Sequence, residues 1–134
     1  MLSFSSPPLF HLSVLLFLSS CCPQMASMGK LEVTMIRGWN LKGDLTGRTE
    51  SYAKIMYGSF HARTHMIRSN NPRWNSYYNL GEVDTHLGLL VEVWDEDVNF
   101  DDRLGSCVVY LRQGTNRYSC PANEGRFEFQ YTLT

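Results

Sequence analysis

Charge is missing from the front of this chain: no Lys, Arg, Asp or Glu precedes Lys30. The apolar run inside that uncharged stretch, Leu-Phe-His-Leu-Ser-Val-Leu-Leu-Phe-Leu from Leu9 to Leu18, is about half the ~20 residues that cross a bilayer, and Ser19, Ser20 and Cys21 follow it. A short apolar core followed by small residues reads as a secretory signal peptide, although its first residues lack the usual Lys or Arg. The expected division is a signal peptide over 1–22, cleaved between 21 and 28, and one domain over 29–134, with an uncleaved anchor as the alternative. Helical periodicity of useful length is also missing, as are internal repeats, low-complexity tracts and Asn-X-Ser/Thr sequons. A formal net charge of −1 supplies no field to draw in nucleic acid, so none is expected as a partner. No nucleophile elbow, phosphate loop, His-Glu zinc motif or Cys-His arrangement occurs, and the chain is not expected to be an enzyme.

Period-two alternation is what the chain has in abundance. Leu31, Val33 and Met35 alternate with Glu32 and Thr34; Phe60, Ala62, Thr64 and Met66 with His61, Arg63 and His65; Leu89, Val91 and Val93 with Leu90, Glu92 and Trp94; and Phe127, Phe129 and Tyr131 with Glu128, Gln130 and Thr132. Further strands are expected at 52–57, 74–80, 107–111 and 117–120, with turns at Tyr57-Gly58-Ser59, Asn70-Asn71-Pro72 and Asn123-Glu124-Gly125. Eight short strands without helices predict an all-β, eight-stranded antiparallel sandwich whose end loops carry the chemistry. In an oxidising compartment Cys107 and Cys120, thirteen positions apart around Gly114-Thr115-Asn116, are placed to form a disulfide across a hairpin; two buried free thiols are the alternative. Cys21 and Cys22 leave with the signal peptide or remain as unpaired or intermolecular thiols. Trp39, Trp74 and Trp94 read as core or strand-end packing.

The strand that ends at Trp94 runs into Asp95, Glu96, Asp97, Asp101 and Asp102, five carboxylates within eight positions. Like charges at that density oppose folding of the loop unless a cation joins them, and calcium suits it by accepting six to eight oxygens in irregular geometry, whereas Mg²⁺ demands a small near-octahedral shell. A second acidic segment holds Asp44 and, six residues later, Glu50 at the head of Ser51-Tyr52-Ala53-Lys54-Ile55. With Asp102 three before Gly105 in Asp-Arg-Leu-Gly, and with Asn71-Pro72-Arg73-Trp74-Asn75, these segments resemble the calcium loops and a strand entry of the C2 domain family. The chain order resembles the type II permutation of that fold. Leu41-x-Gly43-Asp44, the Asn70-to-Trp74 run, Val93-Trp94-Asp95-x-Asp97, Asp101-Asp102 and Leu104-Gly105-Ser106-Cys107, with Cys120 beyond, are most similar to the C-terminal C2 domain of perforins.

The resemblance implies two or more Ca²⁺ ions held by Asp44, Glu50, Asp95, Asp97 and Asp102, with Asp101 as a sixth contributor and Glu96 a bystander. Position 50 carries Glu where the family usually has Asp, so this longer side chain must reach back into the site. Leu45, Val98 and Phe100 stand between the ligands as apolar tips expected to enter a membrane; packing within the loops is their other reading. Lys42 and Arg103 flank the site, near enough for phosphates or simply solvated. Lys54, His61, Arg63 and His65 form either a weak anionic-lipid patch or a polar sheet face, and zinc on the two histidines lacks a third ligand. The expected function is that of a secreted, calcium-dependent phospholipid-binding C2 module, monomeric in solution and peripheral on membranes when calcium is bound. It is perforin-like without the pore-forming part, and the resemblance suggests immune or cytolytic membrane targeting. The alternatives are a calcium-independent secreted protein-interaction domain and a fragment of a larger perforin-like protein.

Overall fold

The computed structural model of the protein describes residues 27–43 and 47–134. The segment expected to be a signal peptide, with Cys21 and Cys22, and the loop residues Asp44 and Leu45 lie outside the described residues. Nine antiparallel strands follow in order: β1 Met28–Trp39, β2 Glu50–Tyr57, β3 Phe60–Arg63, β4 Ile67–Arg68, β5 Arg73–Asp84, β6 Gly88–Asp95, β7 Asp102–Tyr110, β8 Gly114–Ala122 and β9 Gly125–Leu133. The described residues contain no helix.

Strand order is β3-β2-β6-β7-β8-β9-β1-β5, with β4 pairing β2 beside β3. Two layers result, β3-β2-β6-β7 and β8-β9-β1-β5, joined at a corner where β7 and β8 share a single ladder pair, Gly105 with Ala122. A side chain at Gly105 would place its Cβ 2.9 Å from the Ala122 Cα and 3.0 Å from the Phe127 ring, so the corner closes because residue 105 has none. The predicted disulfide is formed, with the Cys107 and Cys120 Cα atoms 6.2 Å apart. It spans the sheet corner rather than a laddered hairpin, and so ties the two layers where backbone pairing is thinnest.

Alternation delivers the core as expected: Leu31, Val33 and Met35 of β1, Leu89, Val91 and Val93 of β6, and Phe127, Phe129 and Tyr131 of β9 are fully buried between the layers. The strand expected over 60–67 divides in two. At its break Thr64 turns inward, donating its amide to the Ala53 carbonyl (2.9 Å) and accepting the Ala53 amide on Oγ1 (2.8 Å), so the ladder to β2 is replaced by side-chain pairing before β4 resumes it. Eight expected strands therefore become nine without a change of architecture. β1 leads directly into the first acidic loop and β9 returns beside it, the connectivity of the type II order.

Candidate calcium and membrane site

Strand register brings the two acidic segments to one end of the sandwich. Ser51 of β2 pairs with Asp95 at the end of β6, and Asp95 pairs with Asp102 at the start of β7. The Asp95 side chain, 1% exposed, points between the layers into the neck of the first loop. Its Oδ1 accepts the Glu50 amide at 2.9 Å, and the Glu96 amide donates to the Glu50 carbonyl at 2.8 Å. On the other side lies Gly43, where a Cβ would stand 2.0 Å from Asp95 Oδ2 and 2.5 Å from its Cγ. The Asp95 carboxylate thus fills a cradle made by both arms of the loop between β1 and β2, one residue away from Asp44.

The neck is closed by groups that sequence reasoning did not single out. Thr49 Oγ1 donates to the Leu41 carbonyl (2.8 Å) and accepts the Gly43 amide (3.2 Å). Asn70 accepts the Thr49 amide on Oδ1 (2.8 Å) and the Leu41 amide on its carbonyl (2.8 Å), while Asn71 Oδ1 accepts the Asn40 amide (2.8 Å). The Asn70-Asn71-Pro72 run, legible as a turn, serves as the brace of the first loop. Trp74 adds its indole N–H to the Ser51 carbonyl at 3.3 Å and is buried.

The loops converge, but the described carboxylates do not close into a cage: among the described residues no three His, Cys, Asp or Glu groups come close enough to hold a metal ion. Glu50 turns its carboxylate to Arg68, 3.1 Å away, so it meets Asp95 through its backbone. Asp97 caps the next amide, that of Val98, at 2.6 Å. Asp101 accepts the Tyr52 hydroxyl on one oxygen and the Asp97 amide on the other (3.0 Å). These two donors hold the Asp101 carboxyl below the ordinary aspartate range, with Arg63 and Lys54 assisting, while burial and the adjoining carboxylate push the Tyr52 phenol up. Glu96 pairs its carboxylate with Arg63. The side chains that the two acidic segments bring to this end of the sandwich are oxygen donors throughout, the chemistry that a hard cation such as calcium accepts.

A sequence profile of the C2 domain matches residues 29–126. Perforin-1 of Homo sapiens is 36% identical over 115 residues, 83% of this chain and 21% of perforin-1. A calcium-dependent lipid-binding protein of Arabidopsis thaliana is 38% identical over 86 residues, 61% of this chain and 17% of that protein. A solved C2 domain superposes with a TM-score of 0.74 at 31% identity, covering 79% of this chain and 98% of that one. The chain belongs to the C2 domain family. It spans about a fifth of the length of the perforin-1 it matches.

In this C2 domain the apolar tips of the loop between β6 and β7 are open to water, Val98 at 97% and Phe100 at 82% exposure, so packing within the loop does not account for them. The flanking cations have protein partners: Lys42 Nζ lies 4.0 Å from Glu124, and Arg103 lies 3.3 Å from Glu92. Lys54, His61 and Arg63 do share one outer sheet face, where with Met56 and Ala62 they line a shallow cleft of about 300 Å³. Two of them are already engaged, Lys54 over the Trp94 ring (4.1 Å) and Arg63 over the Tyr52 ring (3.6 Å). Trp94 therefore sits on the outer face under a lysine, while Trp74 alone of the three tryptophans is fully packed inside.

Proposed function

We propose that this C2 domain is a secreted, non-enzymatic, monomeric module that binds phospholipid membranes when calcium fills its loop end, and that its likeness to perforin-1 reflects a part in immune or cytolytic membrane targeting. The observation that carries the reading is the seat of Asp95 between Gly43 and the Glu50 amide, with Val98 and Phe100 projecting into water beside it. Asp44, Glu50, Asp95, Asp97, Asp101 and Asp102 would hold two or more ions, once Glu50 leaves Arg68 and Asp101 shares its oxygens with Tyr52. Bound calcium supplies positive charge that cancels carboxylate repulsion and lets the tips approach headgroups. Leu45, beside Asp44, would join Val98 and Phe100 as a third tip.

Sedimentation with phosphatidylcholine vesicles in calcium and in chelator tests this reading. Pelleting in calcium alone is the expected result; equal pelleting in both conditions refutes the calcium requirement. The second reading, a calcium-independent protein-interaction domain, is favoured by the partners that Glu50, Glu96 and Asp101 already have without metal. Thermal melts separate the two, because a ligand of the folded state alone raises the melting temperature as its concentration passes the dissociation constant.

A further inference from the structure

The outer face of the β8-β9-β1-β5 layer gathers cations that the proposed calcium site does not use. One row across the four strands reads Ser119, Glu128, Arg37, Arg73. The adjoining rows add Arg126 between Pro121 and Trp39, and Arg117 opposite Gln130. Phe127 and Phe129 occupy the buried positions of β9, so this set faces outward. With strands about 4.8 Å apart, the arginines fall within a field roughly 15 Å wide. Four guanidiniums face the single carboxylate of Glu128, which leaves three positive charges. The opposite sheet face sets Lys54, Arg63 and Arg103 against Glu92 and Glu96, which leaves one, with both of its arginines paired.

The field is organised. Glu128 holds Arg37 (3.3 Å) and Arg117 (2.9 Å) on its two oxygens, and Arg37 also lies 4.8 Å over the Trp39 ring. Ser119 takes the Nε and Nη2 donors of Arg126 on its hydroxyl and carbonyl at 2.9 and 2.7 Å. Neither Arg73 nor Arg126 has a carboxylate partner among the described residues. The field also adjoins the calcium end: Trp39 continues through Asn40 into the first acidic loop, and Asn123 of the β8–β9 turn donates to the Lys42 carbonyl at 3.1 Å. At the far end of the same face Lys30, Glu32 and Glu82 reverse the sign of the charge. A bilayer met by the loop tips would therefore lie beside the positive end of this face.

We propose that the Arg37, Arg73, Arg117 and Arg126 face docks on anionic phospholipid headgroups, tilting the module toward its β8-β9-β1-β5 side; this rests on the membrane reading above. The test titrates Arg73→Gln/Arg126→Gln and the unmodified protein, both in calcium, against vesicles of phosphatidylcholine alone and of phosphatidylcholine mixed with phosphatidylserine. The unmodified protein should prefer the mixed vesicles. The double variant should lose about fivefold per arginine, roughly 25-fold together, on mixed vesicles only. Its binding to phosphatidylcholine, its calcium requirement and its melting temperature should stay unchanged, and Arg73→Lys/Arg126→Lys should restore most of the preference. Equal loss on both vesicle types, or a preference that survives the double substitution, overturns the proposal. Loss seen only on immobilised heparin overturns it too, since the face would then serve a soluble polyanion. Failure of the unmodified protein to bind any vesicle in calcium would instead bring down the membrane reading itself.

Discussion

Replacing Val98 and Phe100 together by serine separates membrane insertion from every other role of the loop between β6 and β7. Both side chains are almost wholly in water, at 97% and 82% exposure, so the folded protein loses no packing and its stability should move by less than about 0.5 kcal/mol. Calcium binding without vesicles should be unaffected, because neither side chain carries an oxygen and the backbone carbonyls remain in the variant. In a bilayer the arithmetic changes: complete burial of a side chain of this size contributes about 1.5 to 3 kcal/mol, and half-burial of both at the acyl boundary therefore about 1.5 to 3 kcal/mol for the pair. That is roughly ten- to a hundredfold in partition coefficient. Vesicle sedimentation across a lipid titration at saturating calcium reads it, with a thermal melt as control. Partition within twofold of the unmodified protein would show that the tips stay out of the membrane, and a drop in melting temperature would show that they pack against the protein after all.

Asp95→Asn should abolish calcium-induced stabilisation, which for an intact site reaches about 2.7 kcal/mol at a hundredfold excess over the dissociation constant, read by melts with and without calcium. Gly43→Ala should destabilise the protein by about 1 to 3 kcal/mol even without calcium, because the new methyl would stand 2.0 Å from an oxygen of the buried Asp95 carboxylate; denaturant melts measure it. Cys107→Ser/Cys120→Ser should cost about 3 kcal/mol by the same assay, from the thirteen-residue separation that the bridge closes. The Arg117 guanidinium, followed by that of Arg37, holds the Glu128 carboxyl below its ordinary value of 4.5 against the opposing effect of burial. A lowered folded-state value contributes stability above the ordinary one and loses it as pH falls through the folded value. Glu128→Gln should therefore flatten the decline of stability below about pH 4.5, and a decline of unchanged slope there would refute the assignment.

Alternation of apolar and polar residues was enough to place the core, since each strand buries one face and a period of two leaves little choice of which. Leu31, Val91 and Phe129 lie inside as that pattern requires, and the pairing of Cys107 with Cys120 was legible from their spacing around a turn. The break at Thr64 was not, because it depends on a hydroxyl that finds Ala53 on another strand. At the site, the acidic spacing named the loops and their apolar tips, yet it carried no information about what each carboxylate touches. Glu50 turns to Arg68, and Asp101 to Tyr52, partners 18 and 49 positions away. Thr49 and Asn70, which brace the loop neck, carry no signal beyond ordinary turn chemistry.

What the chain alone determined is therefore the set of elements and the identity of the charged loops, both local properties written in residue period and residue type. Only tertiary structure decided which oxygens face the cradle at Gly43, which are drawn off by arginine and tyrosine, and that Arg37, Arg73, Arg117 and Arg126 form one field. Contacts of that kind arise when strands distant in sequence are laid side by side, and the register that aligns them is a property of the whole sandwich.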